Sequence, residues 1–409
     1  MKKTINLIPL IIILLGFWGL IFKGVYMVFL MLIMIHFFLK YQFHGANKDV
    51  RKKFVFENRW ILFFLLSIFT NLVSCQIYRG QTIGESLSNT ELLWFFFILS
   101  FYIYVYQGYS IQQIESAIKK LYLCFCVVYL MQYFIFYPHH VFYMLSLMES
   151  EHRFRLNGQY VLFWGYFYYL NVLIMTKKPL AKDIFALLLG FFVIILLGFR
   201  TGIVGIVLSS GLMVIRIKGF SYKIIKYFLI AGIIGVCVIA TPVGRNILDN
   251  MIERNETESF DNEDYIRVKQ FMYFSQEHFK SDYERFWGSG MANVESKYGK
   301  YYVAMLDPGG VTSRAQWRDW GLIGLSWIMG IPMFLVMLFL IFYMIFKKTD
   351  KNHYYVSCLY LFMLMSGITT VEVYRNGAFV FHGLMLYLMG LIKNKLKDEN
   401  RNNYAAIRK

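Results

Sequence analysis

The sequence predicts an all-helical polytopic membrane protein with about 12 transmembrane helices and one large loop on the outer side. Hydrophobic residues make up 58% of the 409 residues, aromatic residues make up 19%, and the mean hydropathy is +0.48. A soluble protein cannot bury so large an apolar fraction, whereas lipid can cover it. The apolar runs are continuous rather than alternating, and only six prolines occur. Helices are therefore predicted in preference to a closed β-barrel.

The membrane spans are predicted from runs of about 20 apolar residues, with roughly 17–25 tolerated. The first run, residues 5–22, is followed by no small-residue cleavage site, so we interpret it as a retained helix rather than a signal peptide. The predicted spans are residues 5–22, 24–39, 60–77, 91–109, 121–137, 159–175, 184–199, 203–215, 227–241, 320–346, 356–371 and 377–392. Residues 203–215 are short for a span, so a re-entrant segment is the alternative there.

The orientation of the spans is predicted from the distribution of lysine and arginine. With the N-terminus inside, most of the 42 Lys and Arg residues fall in segments that would face the cytoplasm, and few fall in the short outer connections. Both termini are therefore predicted to be cytoplasmic. The formal net charge of +17 is explained by this bias and by anionic lipid, so no nucleic-acid partner is predicted.

The chain is predicted to have four parts. They are residues 1–241 with nine spans, residues 242–319 as the outer loop, residues 320–392 with three spans, and residues 393–409 as a cytoplasmic tail. Within the loop, residues 261–279 are predicted to form a helix capped by Asp261 or Asn262. Residues 287–290 (Trp-Gly-Ser-Gly) and 307–310 (Asp-Pro-Gly-Gly) are predicted turns.

Arginines on the predicted outer side are the candidate ligand-binding residues, because short outer connections rarely carry them. Arg200 lies at the tip of an apolar hairpin, Arg155 precedes a helix, and Arg375 separates the last two spans. Each one alone could instead reach lipid headgroups or pair with a carboxylate. Several together favour an anionic ligand, because guanidinium groups bind phosphate oxygens in pairs and stay protonated.

Carboxylates that could act as a general base are scarce near the predicted spans. Glu372 stands at the outer end of a helix, and Asp307 and Asp319 approach the membrane from the loop. A sugar hydroxyl needs such a carboxylate or a histidine to accept its proton; the alternative is an acid that is solvated or paired with arginine. The sequence has no P-loop, zinc-protease, serine-hydrolase or Asp-x-Asp motif, so no cofactor or metal is predicted.

Four local patterns resemble those of the O-antigen and capsule polysaccharide polymerases, a family related to the O-antigen ligases. They are Arg155-Leu156-Asn157-Gly158 (R-x-x-G), residues 198–202 (S-R-T-G, with Phe199 for the small residue), Arg267 followed by residues 287–290 (R…G-x-G), and residues 320–324 (G-L-I-G preceded by Trp320). Ligases carry a His-Asn pair about ten residues before G-L-I-G, where this chain has residues 311–314, Val-Thr-Ser-Arg. This departure favours a polymerase over a ligase.

The resemblance implies a glycosyltransferase-C-like fold in the cytoplasmic membrane of a bacterial cell. It implies polymerisation of undecaprenyl-diphosphate-linked oligosaccharide repeat units into O-antigen, capsule or exopolysaccharide on the outer face, without a cofactor. The implied partners are the polyprenyl-diphosphate-linked oligosaccharide and the lipid bilayer, with a chain-length regulator and a flippase of the same pathway as candidates.

The resemblance also implies roles for individual residues, because transfer expels a diphosphate whose negative charge fixed cations stabilise. The implied diphosphate contacts are Arg200, Arg267, Arg155 and Arg314, and the candidate bases are Asp307 and Glu372. Two alternatives remain: ligase-type glycan transfer, and a flippase or exporter of lipid-linked glycans. The halves of the chain show no evident repeat and the spans carry little charge, which argues against transport.

Overall fold

The computed structural model describes residues 5–15, 23–43, 48–137, 139, 141–142, 145–148, 153–156, 159–198, 200–219, 245, 266–304, 316–367, 372–374 and 377–407. The α-helices in these ranges are α1 (Leu7–Leu15), α2 (Lys23–Phe43), α3 (Lys48–Lys53), α4 (Val55–Arg79), α5 (Ile83–Ser88), α6 (Thr90–Phe96), α7 (Ser100–Gln107), α8 (Ile111–Met131), α9 (Tyr160–Met175), α10 (Ala181–Leu196), α11 (Arg200–Lys218), α12 (Ile266–Met272), α13 (Asp282–Trp287), α14 (Lys297–Ala304), α15 (Gly321–Phe346), α16 (Tyr354–Ser366) and α17 (Ala378–Ile407).

Shorter elements join these helices. Turns of 3-10 helix form at Phe97–Leu99, Trp317–Trp320, Lys351–His353 and Glu372–Tyr374, and turns of π-helix form at Gln132–Phe136 and Tyr273–Glu277. Strands β1 (Leu145–Met148) and β2 (Arg153–Leu156) pair antiparallel, with Ser146 opposite Arg155. Only helices were predicted from the sequence, so this hairpin was missed.

Several helices have the length and composition of membrane spans. Four are long and apolar enough to cross a membrane: Val55–Arg79, Ile111–Phe136, Thr201–Lys218 and Trp317–Phe346. Shorter apolar helices are Val28–Phe43, Glu91–Gln107 and Tyr160–Met175. These helices agree with a helical membrane protein. The count of twelve spans and the sides of the membrane stay predictions.

Two predicted boundaries differ from the structure. Helix α8 begins at Ile111 rather than near residue 121, because Ser110 and Gln113 form a capping box in which each side chain bonds the other residue's backbone N–H. Helix α11 extends three residues beyond each end of residues 203–215, and its residues Thr201–Lys218 are apolar enough to cross a membrane. Its length is therefore that of a full span rather than a short re-entrant segment.

The ends of the bundle are fixed by contacts between distant segments. At one end, the buried Glu57 accepts hydrogen bonds from Lys393 Nζ at 2.8 and 3.0 Å and from the Tyr343 hydroxyl at 3.0 Å. We call this the Glu57 end, and we call the end that carries Arg79, the last residue of α4, the Arg79 end. Lys395, on the helix that carries Lys393, lies 3.8 Å from Asp350, which places the start of α16 at the Glu57 end.

Helix α15 is broken at Gly330, where φ is 86° and ψ is 166°. Pro332 has no N–H to bond the carbonyl of Ile328. That carbonyl instead accepts the N–H of Gly290 at 2.8 Å and Nδ2 of Asn71 at 2.8 Å. Residues 288–290 form no turn here, so the prediction of a turn was wrong, although Gly288 and Gly290 have positive φ angles of 87° and 81°. The segment instead supplies donors to the carbonyls that the broken helix leaves unpaired.

Residues 287–290 separate α4 from α15 over part of their length. Near the Glu57 end the two helices touch directly, because Trp60 Nε1 donates to the Val336 carbonyl at 2.7 Å. Towards the Arg79 end, Ser74 Oγ donates to the Gly288 carbonyl at 2.9 Å instead. Residues 287–290 are therefore a wedge between two long apolar helices. The described chain that leads to this wedge, from Ile266, is held next to the same two helices.

The structure describes only part of the predicted helix over residues 261–279. The chain is helical from Ile266 to Glu277, through α12 and the π turn. Asp261 and Asn262, the predicted caps, and the predicted turn at residues 307–310 lie outside the described residues.

Candidate functional site

The six predicted site residues are described to different extents. Arg267 is described completely. Arg155, Arg200 and Glu372 are described by backbone position, and their side chains lie outside the described part. Arg314 and Asp307 lie outside the described residues, as does Arg375. Their assigned roles stay predictions.

Arg200 and Glu372 lie at the same end of the bundle. The Arg216 guanidinium near the end of α11 lies 4.4 Å from the ring centre of Tyr354 at the start of α16. Gly205 near the start of α11 lies against Phe362 near the end of α16, so the two helices run antiparallel. The contact between Arg216 and Tyr354 is at the Glu57 end. The first residue of α11, Arg200, is therefore at the Arg79 end, where α16 finishes a few residues before Glu372.

Arg155 lies at this end too. Helix α9 begins at Tyr160, four residues after β2. The ring centre of Tyr160 lies 6.4 Å from the ring centre of His382. His382 in turn contacts the turn that contains Glu372. The β-hairpin with Arg155 therefore leads into a helix that starts beside this turn.

Arg267 is partly exposed on α12 and makes no hydrogen bond or ion pair with the residues that the structure describes. Its helix lies across the beginning of α15. Gln270 Nε2 donates to Asp319 Oδ2 at 3.1 Å, and the Phe274 ring stacks on Trp327 at 4.5 Å. The cation is thus carried by a fixed helix while its charge stays available to an anion.

The turn Glu372–Tyr374 is anchored by His382, which is 1% exposed. His382 Nε2 lies 2.7 Å from the Val373 carbonyl, and Nδ1 lies 2.8 Å from the Tyr360 hydroxyl. Because a carbonyl oxygen only accepts, Nε2 must carry the proton, and Nδ1 of the neutral ring then accepts from Tyr360. The backbone beside Glu372 is therefore held by a buried pair of hydrogen bonds.

Tyr374 anchors the same turn from another direction. Its ring stacks on Trp317 with centres 5.1 Å apart and planes 18° apart, and its hydroxyl donates to the Gly321 carbonyl at 3.2 Å. Gly321 is the first residue of α15 and of the predicted G-L-I-G motif, which does open a helix. Sequence reasoning missed both Tyr374 and His382, since neither residue stands in a recognisable motif.

A buried ion pair was also missed. Arg79 Nε bonds the carboxylate of Glu284, and the two side chains are 4% and 0% exposed. Arg79 Nη2 also donates to the His278 carbonyl, and the guanidinium lies 5.0 Å from the ring centre of Tyr298. For Arg79, the alternative weighed for the arginines predicted to be outside, pairing with a carboxylate, is the observed one.

Glu284 and His278 complete this cluster. The second oxygen of Glu284 accepts the N–H of Lys280 at 2.6 Å. Burial, and after it the positive charge of Arg79, lowers the pKa of His278 well below its usual value. His278 is therefore neutral at physiological pH, and the cluster carries one balanced pair of charges. It holds residues 278–284 on the end of α4.

Among the described residues, no three His, Cys, Asp or Glu side chains are grouped closely enough to hold a metal ion. The predicted absence of a metal or cofactor stays a prediction.

No protein-family model matches this chain, and no curated protein matches it either. The function is therefore inferred from the local motifs and from the geometry at the Arg79 end.

Proposed function

We propose that this chain is an integral membrane glycosyltransferase that joins lipid-diphosphate-linked oligosaccharide units into a longer glycan. The proposal includes 12 spans, cytoplasmic termini, an outer loop over residues 242–319, and a location in the bacterial cytoplasmic membrane. The observation that carries it is that the backbone of Arg155, Arg200 and Glu372 and the helix of Arg267 lie at the same end of a bundle of apolar helices.

The chemistry of the reaction matches these residue types. When the acceptor hydroxyl attacks the anomeric carbon, the bond to the diphosphate breaks and negative charge develops on the leaving oxygen. Guanidinium groups such as those of Arg200 and Arg267 would stabilise that charge without a metal. Glu372, on a turn held by buried hydrogen bonds, would accept the hydroxyl proton. Arg155 and Arg314 are additional diphosphate contacts, and Asp307 is the other candidate base.

The contacts between distant segments at the two ends of the bundle support the proposed orientation. Contacts at the Glu57 end join segments that the charge distribution places in the cytoplasm, such as Glu57 with Lys393 and Asp350 with Lys395. Contacts at the Arg79 end join segments predicted to be outside, such as Arg79 with Glu284 and Gln81 with Met291.

Cysteine labelling in intact cells tests this orientation. In a variant without native cysteines, Glu295→Cys should react with a membrane-impermeant maleimide in whole cells, because Glu295 is exposed at the Arg79 end. Lys397→Cys, exposed beyond the Glu57 end, should react only after the cells are opened. The reverse pattern would overturn the orientation, and labelling of both in whole cells would rule out opposite sides.

Substitution of Arg200 tests the proposed role of the arginines. Arg200→Ala should lower elongation by about 100-fold or more, the usual loss when one donor to a developing anion is removed. Arg200→Lys should recover only part of the activity, because a point charge lacks the guanidinium fork. Arg401→Ala, an exposed arginine beyond the opposite end, is the control.

The readout is the length distribution of the cellular glycan on gels, with chain abundance measured by immunoblot. Normal glycan length with Arg200→Ala at normal abundance would remove Arg200 from the site.

Loss of the chain in its own cell separates this function from the alternatives. Loss of a polymerase should leave single repeat units, and a glycan of one unit, on the outer side. Accumulation of full-length polymer on the lipid carrier would instead indicate ligase-type transfer, and repeat units trapped on the inner side would indicate a flippase.

A further inference from the structure

We infer that Trp317 and Tyr374 form a positioning joint that fixes Glu372, the candidate base, relative to Arg267, the candidate diphosphate contact. The inference rests on the proposed function for the roles of these two residues. The joint itself consists of described contacts and can be tested separately.

One half of the joint is the turn Glu372–Tyr374. Glu372 and Tyr374 are the first and last residues of a single 3-10 turn. The Tyr374 ring packs flat on Trp317, and both side chains are 5% exposed. Phe95, on α6, also stacks with Tyr374, and the planes of the two rings are 17° apart. Rotation of the turn would have to break this stack and the bond to Gly321.

The other half is the turn Trp317–Trp320. It also contains Asp319, which accepts the hydrogen bond from Gln270 Nε2 at 3.1 Å. Gln270 is 1% exposed. It lies on the short helix that carries Arg267, and Arg267 precedes it by three residues. Contacts therefore run without interruption from the helix of Arg267, through Asp319 and Trp317, to Tyr374 and the turn of Glu372.

Such a joint matters because the two residues are far apart in the chain but must act on one reacting bond. Arg267 would hold the leaving diphosphate while Glu372 faces the acceptor hydroxyl. A misplacement of about 1 Å in such a pair can reduce the rate roughly 100-fold while substrate binding persists. A positioning role therefore predicts a loss in kcat rather than in KM.

Simple packing is the competing explanation, and the chain contains a matched pair that isolates it. Tyr387 at the Glu57 end stacks on Phe54 at 5.6 Å, is 2% exposed, and donates its hydroxyl to the Tyr109 carbonyl at 2.8 Å. It thus makes the same two kinds of contact as Tyr374, at the end of the bundle away from the proposed site.

The experiment compares Tyr374→Leu, Tyr374→Phe and Tyr387→Leu in purified full-length chain reconstituted in nanodiscs. Elongation kinetics are measured with a lipid-linked repeat unit, and amide hydrogen exchange is followed in residues 317–320 and 372–374. We expect Tyr374→Leu to lower kcat about 10-fold or more, with KM within about twofold, and to speed exchange in both turns. Tyr374→Phe keeps the ring stack and should recover most of kcat, whereas Tyr387→Leu should leave kcat per folded molecule and exchange in both turns unchanged.

Equal kcat losses in the two leucine variants would overturn the positioning role, and so would unchanged exchange in residues 317–320 with Tyr374→Leu. A wild-type chain that elongates no glycan would refute the proposed function, and with it the role in catalysis. In that case the exchange data would still decide whether the joint couples the two turns.

Discussion

Replacing Gly288 with alanine is expected to abolish stable folding of the chain. Gly288 has a φ of +87°, a region that side-chain-bearing residues rarely adopt, and an added Cβ would lie 2.4 Å from Gly330 N and 2.5 Å from the Ile328 carbonyl. These are backbone atoms of the broken helix α15 and cannot rotate away. Backbone strain and overlap together should cost about 3 kcal/mol or more, a large share of the stability of most proteins.

Two other glycines provide controls for this prediction. Gly108 has a φ of +73° with nothing within 4 Å of an added Cβ, so Gly108→Ala isolates the conformational cost. Gly84 lies in helix α5 with only Thr82 Oγ1 at 4.0 Å, so Gly84→Ala should be neutral or stabilising by up to about 1 kcal/mol.

The measurement is the yield of monodisperse protein after detergent extraction, followed by its thermal midpoint. Gly288→Ala should give aggregated or degraded chain, Gly108→Ala a lowered midpoint, and Gly84→Ala wild-type behaviour. A Gly288→Ala protein with the wild-type midpoint would mean that residues 288–290 do not occupy the break in α15.

Removing one member of the buried pair Arg79–Glu284 is the second large expected effect. Glu284→Ala would leave the Arg79 guanidinium, 4% exposed, without its carboxylate. Loss of one partner from a buried pair usually costs about 3–5 kcal/mol, because the remaining charge is neither solvated nor balanced. Replacing both residues, as Arg79→Met with Glu284→Leu, should recover much of that loss, since no isolated charge remains.

Glu91 and Arg318 form the comparison pair at the same end of the bundle. Their side chains are 32% and 38% exposed, so water solvates each charge when the other is removed. Glu91→Ala should therefore cost about 1 kcal/mol or less. Unfolding followed by tryptophan fluorescence measures both effects, and equal losses for Glu284→Ala and Glu91→Ala would contradict the burial of the first pair.

The helical class of the protein could be predicted from the sequence because lipid-covered helices need long apolar runs, and the runs are visible without any tertiary information. Boundaries were less accurate where polar residues continue a helix. The Ser110–Gln113 capping box is a local signal that marks the true start of α8 and could have been used. Helix α11 begins at Arg200 and ends at Lys218. A prediction from apolar residues alone ends the helix before it reaches either of these charged residues.

The contacts that organise the Arg79 end could not be predicted in this way. Pro332 indicates a break in α15, but nothing local shows that Gly290 supplies the missing donor. Arg79 and Glu284 are separated by 205 positions, and the sequence shows both charges without showing their pairing. Arg267 is partly exposed, and its role stays a prediction, as do those of Arg155, Arg200, Arg314, Asp307 and Glu372.

The central claim is that this chain lengthens a lipid-linked glycan, and reconstitution tests it most directly. The purified chain is incorporated into liposomes with one purified polyprenyl-diphosphate-linked repeat unit and no nucleotide, and the lipid-linked products are measured by mass spectrometry. The account predicts a ladder of two or more repeat units with release of polyprenyl diphosphate, and no ladder with Arg200→Ala. Repeat units that remain single, or that cross the bilayer without growing, would contradict it.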